Sequence, residues 1–259
     1  MTAVRVSVDE HGPADAPVLL LANSLGTTRA MWNAQVPALA ERFRVLTFDT
    51  RGHGASPVPD GPYSIDDLVD DVLALLDERG LERVHMAGLS LGGMTAMRLA
   101  AREPARVDRL ALLCTAVRLD GAYYAQRAAT ARTEGTASFA APVVSRWVTP
   151  AFAADHPDVL AGLEAMVAAI PDEGYAGCAE AIAGMDLRGD LGQITAPTLV
   201  IAGAGDEATP PALLQEIAEG ITGAELVIVD PGAHLVPIES PDQVTDALLA
   251  HFDPAGGLR

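Results

Sequence analysis

Apolar residues along this chain fall into two alternating patterns. Val18–Ala22 is a short unbroken apolar run between Pro17 and Asn23, as a strand buried on both faces requires. Arg44–Asp49 reads the same way and ends in the turn-rich stretch Thr50–Pro57. Between them, Ala30–Glu41 reads as a helix starting near Thr28. Ser64 opens a stretch to about Glu78 with apolar residues at Ile65, Leu68, Val69, Val72, Leu75 and Leu76. That spacing is one face of a helix, and acids fill its first turn, where the helix dipole favours them. Arg83–Ala87 and Leu110–Thr115 read as strands around a helix at Leu91–Arg102, and Val4–Val8 as a short edge strand. Repeated strand–helix–strand units predict an α/β domain with a mostly parallel sheet and helices on both faces.

From about Asp120 to Arg188 the alternation stops. The segment is Ala-rich, interrupted by Gly135, Pro142, Pro150, Pro157, Gly162, Pro171, Gly174 and Gly177, and reads as several short helices. Strands return at Thr198–Ala202 and Glu225–Val229, with helices from about Pro211 and over Pro241–His251, then a tail from Asp253 expected to fray. The organisation is therefore a core from 1–119 and 189–259 with a helical insertion at 120–188. An insertion after the carboxyl end of a parallel strand overhangs the place where such sheets bind ligands, which makes it a cap.

Composition narrows the function. The chain has 259 residues, is 49% hydrophobic and carries a formal charge of −18. A chain this acidic is ill-suited to a nucleic-acid backbone or an anionic membrane. No run of about 20 apolar residues is present to span a bilayer, and Met1–Arg5 has no basic-then-apolar leader. Cys114 and Cys178 are too few for a disulfide framework. The expectation is a cytoplasmic protein. An anionic substrate would need positive charge gathered locally against the global field.

The chemistry centres on Gly88-Leu89-Ser90-Leu91-Gly92, placed directly after a predicted strand and before a predicted helix. A Ser on so tight a turn needs small residues two before and two after it, and its side chain then stands above the sheet. A Ser is a weak nucleophile without a base and an acid to orient that base. His234, in Asp230-Pro231-Gly232-Ala233-His234, follows the last strand; His156 lies in the insertion and His251 ends a helix. Asp206 follows the preceding strand in a Gly-containing turn, with adjacent Glu207 as its rival. The backbone N–H of Leu91, at a helix N-terminus, and that of Leu25, in the loop Asn23–Thr27, are the expected oxyanion donors.

Together these residues resemble the α/β-hydrolase superfamily over almost the whole chain. Within it the resemblance is to the 3-oxoadipate enol-lactonases, through Asn23-Ser24-Leu25-Gly26-Thr27, through Phe48–Ser56, and through Gly174–Ile182 leading to Met185–Arg188. The stretch Leu235–Glu239 after His234 departs from that pattern. The resemblance implies an α/β-hydrolase fold with an inserted helical cap and a cytoplasmic enzyme of aromatic catabolism. It would open a small, anionic enol-lactone to 3-oxoadipate through an acyl-enzyme on Ser90, without metal or cofactor. Ser24, Arg51 and Trp147 are the candidate substrate contacts, with Arg146 beside Trp147. Arg51 suits bracing its own loop somewhat better than contacting substrate, and Trp147 equally suits the core of the insertion. The alternatives are a carboxylesterase or thioesterase, a carbon–carbon bond hydrolase, a cofactor-free perhydrolase, and a non-catalytic ligand-binding protein on the same fold.

Overall fold

The structure, a computed structural model, describes residues 2–253. Its centre is a seven-stranded sheet: β1 Val8–His11, β2 Val18–Ala22, β3 Arg44–Phe48, β4 Val84–Leu89, β5 Val107–Leu113, β6 Thr198–Gly203 and β7 Glu225–Val229. The spatial order is β1-β3-β2-β4-β5-β6-β7, with β1 antiparallel to β3 and every other pair parallel.

Side chains alternate faces along each strand, and here both faces are covered. Leu20, Ala22, Leu110 and Leu112 join one core, while Leu19, Leu21, Ala111 and Leu113 join the other. The first core is closed by apolar residues of α2 (Ile65–Glu78), α3 (Leu91–Arg102) and α9 (Pro211–Gly220). The second is closed by α1 (Val36–Leu39) and α11 (Pro241–Phe252). In α2 the Ser64 side chain accepts from the Asp67 N–H and the Asp67 carboxylate accepts from the Ser64 N–H, a reciprocal cap at the predicted start.

Between β5 and β6 lie α4 (Gly121–Glu134), α5 (Ala140–Val144), α6 (Pro150–Asp155), α7 (Pro157–Ala168) and α8 (Asp172–Ala183), with no strand. A short α10, Val236–Glu239, follows β7.

Two local expectations are corrected. Ala30–Glu41 is not one helix but a 3₁₀ turn at Arg29–Trp32 followed by the four-residue α1. Pro37 has no N–H to donate back and its ring crowds the preceding turn, so the helix restarts there. The edge strand is Val8–His11 rather than Val4–Val8. Upstream, the Val4 N–H donates to Asp71 Oδ1 and the Ser7 N–H to Ser56 Oγ, so side chains take the bonds that a ladder would otherwise use. The tail expected to fray lies, from residue 254, outside the described residues.

The chain leaves β2 toward β3 on one side and returns to place β4 on the other. The carboxyl ends of β2 and β4 thus flank a topological switch point, where sheets of this kind open a crevice. The Asn23–Thr27 loop and Ser90 both lie there, since Ala22 pairs with Gly88.

Candidate active site

Ser90 is the only residue between β4 and α3. Its φ of 55° and ψ of −114° lie where a residue with a Cβ is strained, at a cost on the order of 1–3 kcal/mol. The surroundings hold it there. Its N–H donates to the Leu113 carbonyl (2.9 Å) and its carbonyl accepts from Thr115 Oγ1 (2.7 Å). A Cβ on Gly88 would sit 2.2 Å from the Gly92 carbonyl oxygen, and one on Gly92 would sit 2.4 Å from that of Ala22. Nothing but glycine fits at either position, which is the physical content of the five-residue motif.

The neighbouring strands β6 and β7 deliver Asp206 and His234. His234 Nδ1 lies 2.9 Å from Asp206 Oδ2, both side chains being almost wholly buried. Glu207 is exposed and offers only its backbone carbonyl, to Arg146. Asp206 Oδ1 accepts from the Ala208 and Thr209 N–H groups at 2.8 and 3.0 Å, and Oδ2 also accepts from Thr209 Oγ1 at 2.6 Å. Burial alone would push the Asp206 carboxyl up, but His234 and Thr209 outweigh it and leave it below the ordinary carboxylate range. An ionised Asp206 fixes His234 with its proton on Nδ1, leaving Nε2 as the basic nitrogen. Thr209 was not legible from sequence, where it is one more Thr before a Pro.

Leu25 is in a turn and Leu91 is the first residue of its helix, so neither N–H has an acceptor in its own element. Among the described residues, neither donates to a backbone carbonyl elsewhere. The turn carrying Leu25 is pinned by His53, whose Nε2 accepts the Gly26 N–H at 3.0 Å while Nδ1 faces the Arg51 carbonyl at 3.2 Å. This arrangement requires a neutral imidazole, and burial pushes His53 down to about 4. The unfolded imidazole takes its proton near pH 6.5 and the folded one near pH 4, so between those values the unfolded chain binds more protons. Stability should therefore fall as pH drops through this window, by about 3 kcal/mol from His53 alone. Urea unfolding midpoints of the protein and of His53→Gln, measured from pH 7 to 4, check this; an equal slope in both would remove His53 as the source.

Ser90 and His234 line one cavity of about 240 Å³, together with Ser24, Leu25 and Ala208 from the core. The other wall comes from the segment after β5 and the helical block: Leu119, Asp120, Tyr123, Tyr124, Arg127, Val143, Arg146, Trp147 and Tyr175. Two backbones meet where block and core join. A Cβ on Gly52 would lie 2.4 Å from Gly174 Cα, so the Phe48–Ser56 and Gly174–Ile182 stretches are mutual contacts.

The expected substrate contacts separate at this point. Ser24 and Trp147 face the cavity. Arg51 does not: it is fully buried, its Nε and Nη2 clamp Asp71 at 2.6 Å each, and Nη2 also reaches the Asp67 carbonyl. Its charge is consumed in bracing α2 against the loop, which corrects its assignment as a substrate contact. Two cations do face the cavity: Arg146, the expected neighbour of Trp147, and Arg127, which the sequence did not single out. Arg146 is exposed and reaches the Glu207 carbonyl, whereas Arg127 is partly buried. Arg127 donates to Tyr123 Oη (3.0 Å) and to Tyr175 Oη, and stacks on Phe139 with its guanidinium carbon 4.9 Å from the ring centre. Most arginines of this acidic chain hold a carboxylate; among the described residues neither Arg127 nor Arg146 does. Burial pushes the Tyr175 hydroxyl up, so it stays protonated. Both tyrosine oxygens accept from Arg127, which leaves their own protons to donate. Asp120, the one nearby acid on this wall, is occupied in capping α4. In sequence only the four-residue spacing of Tyr123 and Arg127 on a helix hinted at the pair.

The Ser90 hydroxyl, an imidazole oriented by a buried carboxylate, the Leu25 turn and two guanidinium groups thus line one small cavity.

Comparison with known proteins agrees with this chemistry. Residues 17–241 match the alpha/beta hydrolase fold family. The chain is 39% identical over 248 residues to 3-oxoadipate enol-lactonase 2 of Acinetobacter baylyi, covering 95% of this chain and 92% of that protein. It is 32% identical over 257 residues to a protein of Agrobacterium fabrum named as a carbamate hydrolase, covering 95% and 97%. The crystal structure of the enol-lactonase from Burkholderia xenovorans superposes with a TM-score of 0.93 at 41% identity, covering 95% of this chain and 96% of that one.

Proposed function

This chain belongs to the α/β-hydrolase family and is an esterase-type enzyme, and from that premise we propose that it opens a small enol-lactone bearing a free carboxylate, 3-oxoadipate enol-lactone foremost. Ser90 Oγ attacks the lactone carbonyl while His234 takes its proton, and Asp206 holds and stabilises the imidazolium. The Leu25 and Leu91 N–H groups bind the oxyanion, each worth about 3 kcal/mol in the transition state. The ring oxygen leaves as an enol, protonated by His234, and tautomerises to the ketone. Water, deprotonated by His234, then cleaves the acyl-enzyme and frees Ser90. The helical block, residues 120–188, serves as a cap over the core formed by 1–119 and 189–259.

One observation carries the substrate class: Arg127 stands in the Ser90 cavity beside the Tyr123 and Tyr175 hydroxyls, with Arg146 on the same wall, and among the described residues no carboxylate pairs with either. A guanidinium left unpaired in a chain of charge −18 is best satisfied by an anionic ligand. The two enol-lactonase relatives support the reading. Among the described residues, no helix is long and apolar enough to cross a membrane.

The test is turnover of freshly generated 3-oxoadipate enol-lactone, beside an uncharged lactone of the same ring size and a carboxylate-bearing carbamate. The expected order puts the anionic enol-lactone first by about 100-fold or more in kcat/KM, the scale of one charge-assisted contact. Preference for the carbamate would favour the chemistry named for the Agrobacterium fabrum relative; preference for the uncharged lactone would remove the anionic substrate.

A further inference from the structure

The residues on either side of His234 are both tied to one corner of the helical block. The Leu235 N–H, just after His234, donates to the Trp147 carbonyl at 2.8 Å. The Ala233 N–H, just before it, donates to Glu239 Oε2 at 2.9 Å. Glu239 in turn accepts from the Thr149 N–H at 3.2 Å to each carboxylate oxygen, and from Thr149 Oγ1. Thr149 caps α6, and Trp147 lines the Ser90 cavity. No cation pairs with Glu239 among the described residues; its partners are neutral donors from two separate parts of the chain.

From this geometry we propose that Glu239 is a positioning residue that couples His234 to the cap, so that the corner at 147–149 sets where the imidazole stands over Ser90. The inference rests on the reading of Ser90 and His234 given above. Three donors converge on one side chain, and only a carboxylate offers two acceptor oxygens and no competing donor. Removing it strands the Ala233 and Thr149 N–H groups and frees the residue that leads into His234. A misplacement of about 1 Å at a reacting group costs about 100-fold in rate. The same link works in reverse: a substrate that presses on Trp147 acts on the His234 loop through Leu235.

The experiment measures second-order labelling of Ser90 by a fluorophosphonate, with kcat and KM on a chromogenic ester, for Glu239→Ala, Glu239→Gln, Thr149→Val and Glu239→Ala/Thr149→Val, well below each variant's melting temperature. Glu239→Ala should label about 10- to 100-fold more slowly, with kcat falling alike and KM within about threefold, because ground-state contacts in the cavity are untouched. Glu239→Gln should recover much of the rate, since its carbonyl still accepts from Ala233. Thr149→Val should be slower by a smaller factor, and the double variant no slower than Glu239→Ala, because both sever one link. Wild-type labelling by Glu239→Ala, or multiplying effects in the double variant, would overturn the coupling. Should Glu239→Ala not fold, Thr149→Val alone decides, a wild-type rate counting against the proposal. Ser90→Ala run in parallel separates the two readings: label retained there overturns the assignment of Ser90, whatever Glu239 does.

Discussion

Ser90→Ala should lower hydrolysis of any substrate this protein accepts by about 10⁴- to 10⁶-fold, with KM nearly unchanged and the fold intact. The size follows from the geometry. Asp206 and His234 remain bonded to each other without Ser90, and the Leu25 and Leu91 N–H groups stay in place, so under the proposed mechanism water can still be activated and its oxyanion bound. What the proposed mechanism loses is its covalent route. The Ala Cβ accepts the same backbone, but φ near 55° is held by bonds from the Ser90 N–H and carbonyl rather than by its hydroxyl, so stability should change by less than about 1 kcal/mol. Two measurements check this. Rapid-quench mass spectrometry of the wild type should show a covalent acyl adduct that Ser90→Ala lacks. Steady-state rates should fall as stated; a variant within about tenfold of wild type would remove Ser90 from the mechanism.

Arg127→Leu should separate substrates by charge. For a carboxylate-bearing lactone, kcat/KM should fall about 100- to 1,000-fold, matching the 2–5 kcal/mol lost when one partner of a desolvated, hydrogen-bonded charge pair is truncated. For an uncharged ester of equal size it should stay within about threefold, since Leu fills much of the same apolar volume against Phe139. Arg127→Lys should fall between, keeping the charge but losing the planar fork that reaches both tyrosine hydroxyls. Most of the effect should persist at high salt, because partly buried pairs are weakly screened. Equal losses on both substrates would mean that Arg127 only packs the cap. No loss on the anionic substrate would place its carboxylate elsewhere, with Arg146 next in line on the same wall.

Arg127 also marks the limit of sequence reading. Ser90, Asp206 and His234 sit at strand ends, and a strand end is a local event: an apolar run stops and a glycine-containing turn begins. β7 and α3 begin and end where their patterns predict. The expectations that failed depend on what a segment meets. Val4–Ser7 has strand-like residues, but the Val4 and Ser7 N–H groups go to Asp71 and Ser56, which lie far along the chain. Arg51 follows a strand at the correct edge of the sheet, yet Asp71 of α2 reaches it first. Nothing in the local pattern separates a guanidinium spent on a buried carboxylate from one left free for a ligand.

The order of elements, the glycines around Ser90, and the acid and histidine at the ends of successive strands were determined by the sequence alone. Each follows from local periodicity and local backbone requirements. The tertiary structure alone decided which acid meets His234, that Arg127 rather than Arg51 faces the cavity, and that Glu239 links the His234 loop to Thr149 of the helical block. These are pairings between segments tens to more than a hundred residues apart. A chain can make them only after the sheet has brought its strand ends together and the helical block has closed over them.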